Sequence, residues 1–165
     1  MPEIFFTKSE RETEELAFKI AKDNKIKFGD IVALRGDLGV GKTAFTRGFV
    51  RFFSPSLRVT SPTFSLVNEY KTDGVVICGA PGSSRPTSKK ILHFDMYRLN
   101  SHDDLLSVGF YDYLDGESLI IIEWFEKIAD FFDENTINID IVKLSCEADA
   151  PRSGERKIIY ADTRH

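Results

Sequence analysis

The chain has 165 residues, enough for one compact domain with a real core and short for two. Its 42% hydrophobic and 29% charged residues are ordinary for a soluble globular protein. A net charge of −4 argues against unaided binding along a nucleic-acid backbone, and two cysteines outside any metal-ligand spacing argue against zinc or a disulfide framework.

The N-terminus, Met1 to Thr7, has no basic segment followed by a long apolar run, and no stretch approaches membrane-spanning length. With Cys78 and Cys146 read as reduced thiols, a cytoplasmic protein without a membrane partner is expected. Ser9 opens S-E-R-E, a predicted capping box with Glu12 three residues on. Leu16, Ala17, Ile20 and Ala21 recur at helical spacing to about Asn24, which predicts an amphipathic helix lying on a sheet. Lys25 to Gly29 turns the chain into a predicted buried strand, Asp30 to Arg35.

Gly36-Asp37-Leu38-Gly39-Val40-Gly41-Lys42-Thr43 follows, a G-x-x-x-x-G-K-T pattern. After it, Ala44, Phe45, Phe49, Val50 and Phe53 keep helical spacing over Lys42 to Phe53. A strand before and a helix after are the setting in which this pattern forms a phosphate-binding loop. Glycines let the backbone curl so that several N–H groups face one phosphate, and the helix start adds a positive dipole end. Nucleotide contacts are therefore expected from Gly36 through Thr43 and from Ala44. Lys42 would reach the β- and γ-phosphates, and the Thr43 hydroxyl would hold magnesium.

Ser54-Pro55-Ser56 stops the helix. Thr60, Ser61 and Thr63 then form a hydroxyl-rich turn where phosphate-loop proteins carry a switch segment. Ser61 and Thr63 are candidate γ-phosphate sensors, and a turn held by local hydroxyl-to-backbone bonds accounts for them equally well. Ser65 to Tyr70 reads as a strand. Glycine, proline and serine dominate Gly79 to Lys90, so residues 74–90 are predicted to be a mobile surface loop inside a single domain spanning 1–165.

Ile91 to Leu99 reads as a strand ending near Asp95, and Asn100 to Asp104 starts a helix through Leu105 and Leu106. Gly109-Phe110 breaks it, and Tyr111 to Leu114 gives a further helical turn. Leu119 to Trp124 is a second buried strand, whose continuous apolar run predicts helices on both faces of a parallel sheet. Phe125 to Phe132 is a predicted short helix. Thr136 to Leu144 alternates as a half-exposed strand and Arg156 to Tyr160 as a last one, paired with it as an antiparallel hairpin across Ser145 to Glu155. The expected fold is thus α/β: three layers around a mostly parallel central sheet, with an antiparallel C-terminal hairpin.

Ligands in such sheets sit beyond the carboxyl ends of the strands, where the phosphate loop, Asp95 and Glu123 all fall. A magnesium nucleotide needs a carboxylate near the metal, and hydrolysis needs a group that orients water. Asp95 and Glu123 can divide these tasks, and the sequence does not say which does which. Leu119 to Glu123 has the more Walker-B-like form. His93, two residues before Asp95, either orients Asp95 or a phosphate or is a packed strand histidine. Arg98 either balances transition-state charge or pairs with an acid; for Trp124, packing weighs more than base stacking.

Taken together, the phosphate loop, Ser61-Pro62-Thr63-Phe64, His93-Phe94-Asp95-Met96-Tyr97-Arg98 and Ile122-Glu123-Trp124 resemble the motif series of the TsaE (YjeE) family, in order and over nearly the whole chain. Thr13 and Arg156 also fall where that family has Thr and Arg. The resemblance implies a small bacterial phosphate-loop ATPase with ATP or ADP and Mg2+ as cofactors. Its task would be to support N6-threonylcarbamoyladenosine formation at adenosine 37 of tRNA. Its implied partners are TsaB and TsaD, with tRNA met mainly through their complex, which ATP hydrolysis resets between cycles. Carried over by position, Lys42, Asp95 and Glu123 form the catalytic set, and Thr43, Asp95 and Glu123 are candidates around the metal. Trp124 would lie near the nucleotide or a partner. Residues 74–90 are longer than the family's connection.

Two other functions fit a phosphate loop. A small-molecule kinase needs a lid with several arginines and an acceptor pocket, and the segment around Arg85 offers one arginine, so no small-molecule acceptor is expected. A nucleotide-gated switch with little turnover has small need of a water-orienting acid such as Glu123.

Overall fold

The structure, a computed structural model, describes residues 1–62, 65–72, 89–99, 101–131, 135–144 and 154–164. Thr63 and Phe64 of the expected switch segment, most of the expected surface loop, and both cysteines lie outside the described residues. In chain order the elements are β1 (Glu3–Thr7), α1 (Glu10–Asp23), β2 (Ile31–Arg35), α2 (Lys42–Phe53), β3 (Val67–Lys71) and β4 (Lys90–Asp95). There follow α3 (His102–Ser107), β5 (Leu119–Glu123), β6 (Ile137–Lys143) and β7 (Arg156–Asp162), with 3-10 turns at Phe110–Tyr113, Phe125–Lys127 and Ala129–Phe131.

The strands form one sheet in the order β1-β7-β6-β2-β5-β4-β3. β6, β2, β5 and β4 pair in parallel, while β7 joins β6, β1 joins β7 and β3 joins β4 antiparallel. Among the described residues five strands therefore run one way, and β7 and β3 oppose them. This is the mostly parallel sheet with a C-terminal hairpin that the apolar runs predicted.

The pleat sorts the core into two layers. Val32, Leu34, Ile91, Ile121 and Ile139 pack with Ala17, Ile20, Phe45 and Phe49 of α1 and α2. On the other face, Ala33, Leu92, Phe94, Ile120 and Ile122 pack with Leu105 of α3 and with Phe110, Phe125 and Ile128. β5 is buried at all five positions, as its unbroken apolar run required. Parity on β4 and β5 then sends His93, Asp95 and Glu123 to the α2 face.

Some local expectations fail for identifiable reasons. β1 was not expected, because Ile4 and Phe6 face solvent at 52% and 67% exposure and only Phe5 packs inward. Its backbone is satisfied by the last strand of the chain, a pairing that no local pattern announces. The S-E-R-E box closes on one side only. Ser9 Oγ accepts from the Glu12 N–H at 3.1 Å, but the Glu12 carboxylate accepts from Lys8 N–H at 2.8 Å and not from Ser9. The helix expected after Trp124 is two 3-10 turns, preceded by Trp124 itself in the left-handed region (φ 63°).

Gly48 marks where α1 and α2 cross. A Cβ there would stand 2.0 Å from the Glu14 carbonyl oxygen, a backbone atom that cannot swing aside. An interior helix Gly→Ala change ordinarily stabilises by roughly 1 kcal/mol. Here the sign reverses: Gly48→Ala is expected to destabilise by about 1–3 kcal/mol as the helices are forced apart. Urea denaturation checks this, and a midpoint at or above that of the wild type would contradict the close crossing.

Candidate functional site

Glycine conformations build the loop between β2 and α2. Gly36 leaves β2 at φ 131°, where a Cβ would meet the Ile141 carbonyl oxygen at 2.2 Å, and Gly41 caps α2 at φ 111° with no side-chain partner. Among the described residues no side chain thus caps the N–H groups at the start of α2, the arrangement that attracts an anion. Lys42, 5% exposed, folds back over the loop and donates from Nζ to the carbonyl oxygens of Gly36 (2.6 Å) and Asp37 (2.9 Å). Its Nζ also lies 3.7 Å from the centre of the Trp124 ring. Burial pushes the lysine's pKa down, opposed by the negative charges of Glu123, Glu126, Asp95 and Asp37. An incoming anion would add to those charges and favour the ammonium form.

Arg156 underpins the loop from β7. It is 8% exposed, and it donates from Nε to the Val40 carbonyl oxygen at 2.6 Å and from Nη1 to that of Gly154 at 2.7 Å. A Cβ on Gly41 would come within 2.9 Å of its Nε. Glycine at this position therefore serves both the positive φ and the packing of the arginine.

The two acids stand side by side, because the parallel register of β4 and β5 pairs Asp95 with Glu123. Thr43 Oγ1 donates to Glu123 Oε1 at 3.0 Å, and His93 Nε2 lies 2.9 Å from the same oxygen. Asp95 Oδ1 accepts from the Tyr97 N–H at 3.0 Å. An open cleft brings together Leu38, Gly39, Gly41, Lys42, Thr43, Ala44, Ser61, Asp95, Glu123 and Trp124. Gly36, Asp37 and Val40 do not line it: Val40 is 3% exposed and packs in the core, and the other two turn carbonyls toward Lys42.

His93 contacts Glu123 across the sheet, so orienting Asp95 is not its described role. In the turn before β3, Thr60 is held locally, its carbonyl accepting from Asn68 Nδ2 at 3.0 Å. Of the two readings weighed for Trp124, the packing is seen, against the α3-side core and with the Tyr97 ring centre 5.0 Å away; the ring also lines the cleft. Glu10 and Arg47 line the cleft too, joined at 3.1 Å, and sequence reasoning missed them. Arg47 was findable, one helical turn beyond Thr43. Glu10 carries no local signal.

Among the described residues no cluster of three or more His, Cys, Asp or Glu side chains is arranged to hold a metal. At the head of α2 the cleft offers the Thr43 hydroxyl and the carboxylates of Asp95 and Glu123, all hard oxygen donors. That sparse set suits magnesium, which keeps waters and takes phosphate oxygens, and suits zinc poorly.

A glycine-curled loop at the head of a helix, beside carboxylates on neighbouring parallel strands, places the molecule in the P-loop nucleotide-binding class. Residues 7–153 match the family described as threonylcarbamoyl adenosine biosynthesis protein TsaE. Three curated relatives bear the name tRNA threonylcarbamoyladenosine biosynthesis protein TsaE. That of Rickettsia conorii is 36% identical over 137 residues, covering 82% of this chain and 69% of its own. The Haemophilus influenzae protein is 38% identical over 111 residues (67% and 61%), and the Bacillus subtilis protein 33% over 113 (68% and 61%). The crystal structure of Bacillus subtilis YdiB has a TM-score of 0.70 at 25% identity, covering 99% of this chain and 86% of that one. The chain belongs to the TsaE family.

Proposed function

We propose that this chain is a magnesium-dependent ATPase of tRNA N6-threonylcarbamoyladenosine synthesis at adenosine 37, resetting a TsaB–TsaD complex between catalytic cycles. Family membership supports the pathway. The observation that carries the enzymatic part is the convergence of Lys42, Thr43, Asp95 and Glu123 in one cleft at the head of α2. The N–H groups of the loop and the α2 dipole would hold the phosphates of ATP. Lys42 would exchange the carbonyls of Gly36 and Asp37 for β- and γ-phosphate oxygens. Thr43 and Asp95 would hold the metal, with Glu123 as a further candidate ligand; magnesium, when bound, supplies neutralisation of phosphate charge. Glu123 would orient the attacking water and accept its proton. Trp124 and Ser61 would border the nucleotide.

Reading residues 1–165 as one domain is supported by the sheet that joins the seven strands of the described residues. No described helix is long and apolar enough to cross a membrane. The negative net charge suits a protein that meets tRNA through its partners. For the kinase alternative, the segment around Arg85 lies outside the described residues.

The test is ATP hydrolysis by the chain alone and with TsaB and TsaD. Phosphate is expected to appear on water, faster with both partners, and unstimulated turnover would remove the resetting role. In the same assay Asp95→Ala is expected to raise the magnesium concentration for half-maximal rate by about tenfold. An unchanged magnesium titration would move the metal to Glu123.

A further inference from the structure

His93 is fully buried beside the cleft, and the reading above gives it no task. On β4 it stands opposite Ile121, while Glu123 stands opposite Asp95, so His93 and Glu123 are diagonal neighbours on the α2 face. Nε2 lies 2.9 Å from Glu123 Oε1, and Nδ1 is buried with no hydrogen-bond partner among the described residues. An N–H on Nδ1 would be an unpaired donor in the core, whereas a bare Nδ1 costs less; the hydrogen therefore belongs on Nε2, aimed at the carboxylate.

Thr43 Oγ1 donates to that same Oε1 at 3.0 Å, and no described hydrogen bond reaches Oε2. A glutamate side chain has three rotatable bonds and, left alone, populates several orientations. Two donors converging on one oxygen, one of them a ring locked in the core, select a single orientation. We infer that His93 is a positioning residue for hydrolysis: its Nε2–H anchors Oε1 of Glu123 and leaves Oε2 to the attacking water. The inference rests on the water-orienting role proposed for Glu123. His93 does not line the cleft and acts through the carboxylate alone.

Turnover and nucleotide affinity are compared, with TsaB and TsaD present, for the wild type, H93Q, H93N, H93L, E123Q and H93L/E123Q. Gln places an amide donor near the position of Nε2, Asn is too short to reach, and Leu fills the space without a donor. H93L and H93N are expected to lose about 10- to 100-fold in kcat with KM and ATP affinity within about twofold of wild type. H93Q is expected to recover to within about threefold, and H93L/E123Q to be no slower than E123Q. Full turnover by H93L, H93Q as slow as H93N, or losses that multiply in the double variant would each overturn the inference. The H93Q and H93N pair decides the matter should H93L fold poorly. E123Q at the wild-type rate would overturn the role of Glu123 and this inference together, whereas a slow E123Q beside a fast H93L overturns the inference alone.

Discussion

Lys42→Ala is expected to weaken ATP binding by about 100-fold, the scale of losing a buried charged hydrogen-bond donor. Lys42 is the only cation among the loop residues Gly36 to Thr43, and its Nζ already bridges two loop carbonyls. Two consequences of the substitution oppose each other. Removing a lysine whose charged form is disfavoured by burial relieves a desolvation cost. It also strips the carbonyls of Gly36 and Asp37 of a donor and leaves Glu123 and Asp95 facing the phosphates without a compensating charge. The second effect dominates once a triphosphate carrying several negative charges enters. Titration with a fluorescent ATP analogue checks this, and an affinity equal to wild type would contradict the loop's assignment. The chain's single tryptophan sits over Nζ, so its emission gives an independent readout in the same variant.

Glu123→Gln is expected to act on turnover and spare binding. The amide keeps the shape of the side chain, and its oxygen can still accept from Thr43 and His93, but it has little basicity toward a water proton. Loss of a general base is worth roughly 100- to 10,000-fold in rate, so kcat with both partners present should fall by about that factor. ATP affinity should stay within about threefold. Phosphate release as fast as wild type would end the catalytic assignment and leave a nucleotide-gated switch as the better reading. The pair of variants is informative because the effects fall on different constants: Lys42 on binding, Glu123 on the chemical step.

How much of this was legible depended on whether the interaction was local. The loop declared itself because strand, glycine curl, lysine and helix are contiguous, and α2 occupies the predicted Lys42–Phe53. β5 declared itself because a strand buried on both faces has no polar alternation to obscure it. The acids followed from a rule about strand ends. The weak local signals were the ones misread. β1 shows Ile4 and Phe6 to solvent and packs only Phe5 of its apolar side chains inward, and the turns after Trp124 depend on one left-handed residue.

The amino-acid sequence by itself determined the α/β class, the phosphate loop and both candidate carboxylates, because periodicity and contiguous motifs are properties of neighbouring residues. Only the tertiary structure decided which distant groups meet. Arg156 lies beneath Val40 across 116 positions, Thr43 touches Glu123 across 80, and His93 reaches Glu123 because β4 happens to flank β5. Gly48 is required by the α1 backbone passing beside it, not by anything in its own helix. Strand order and helix crossings are set by how the whole core closes, and no local stretch of chain contains that information.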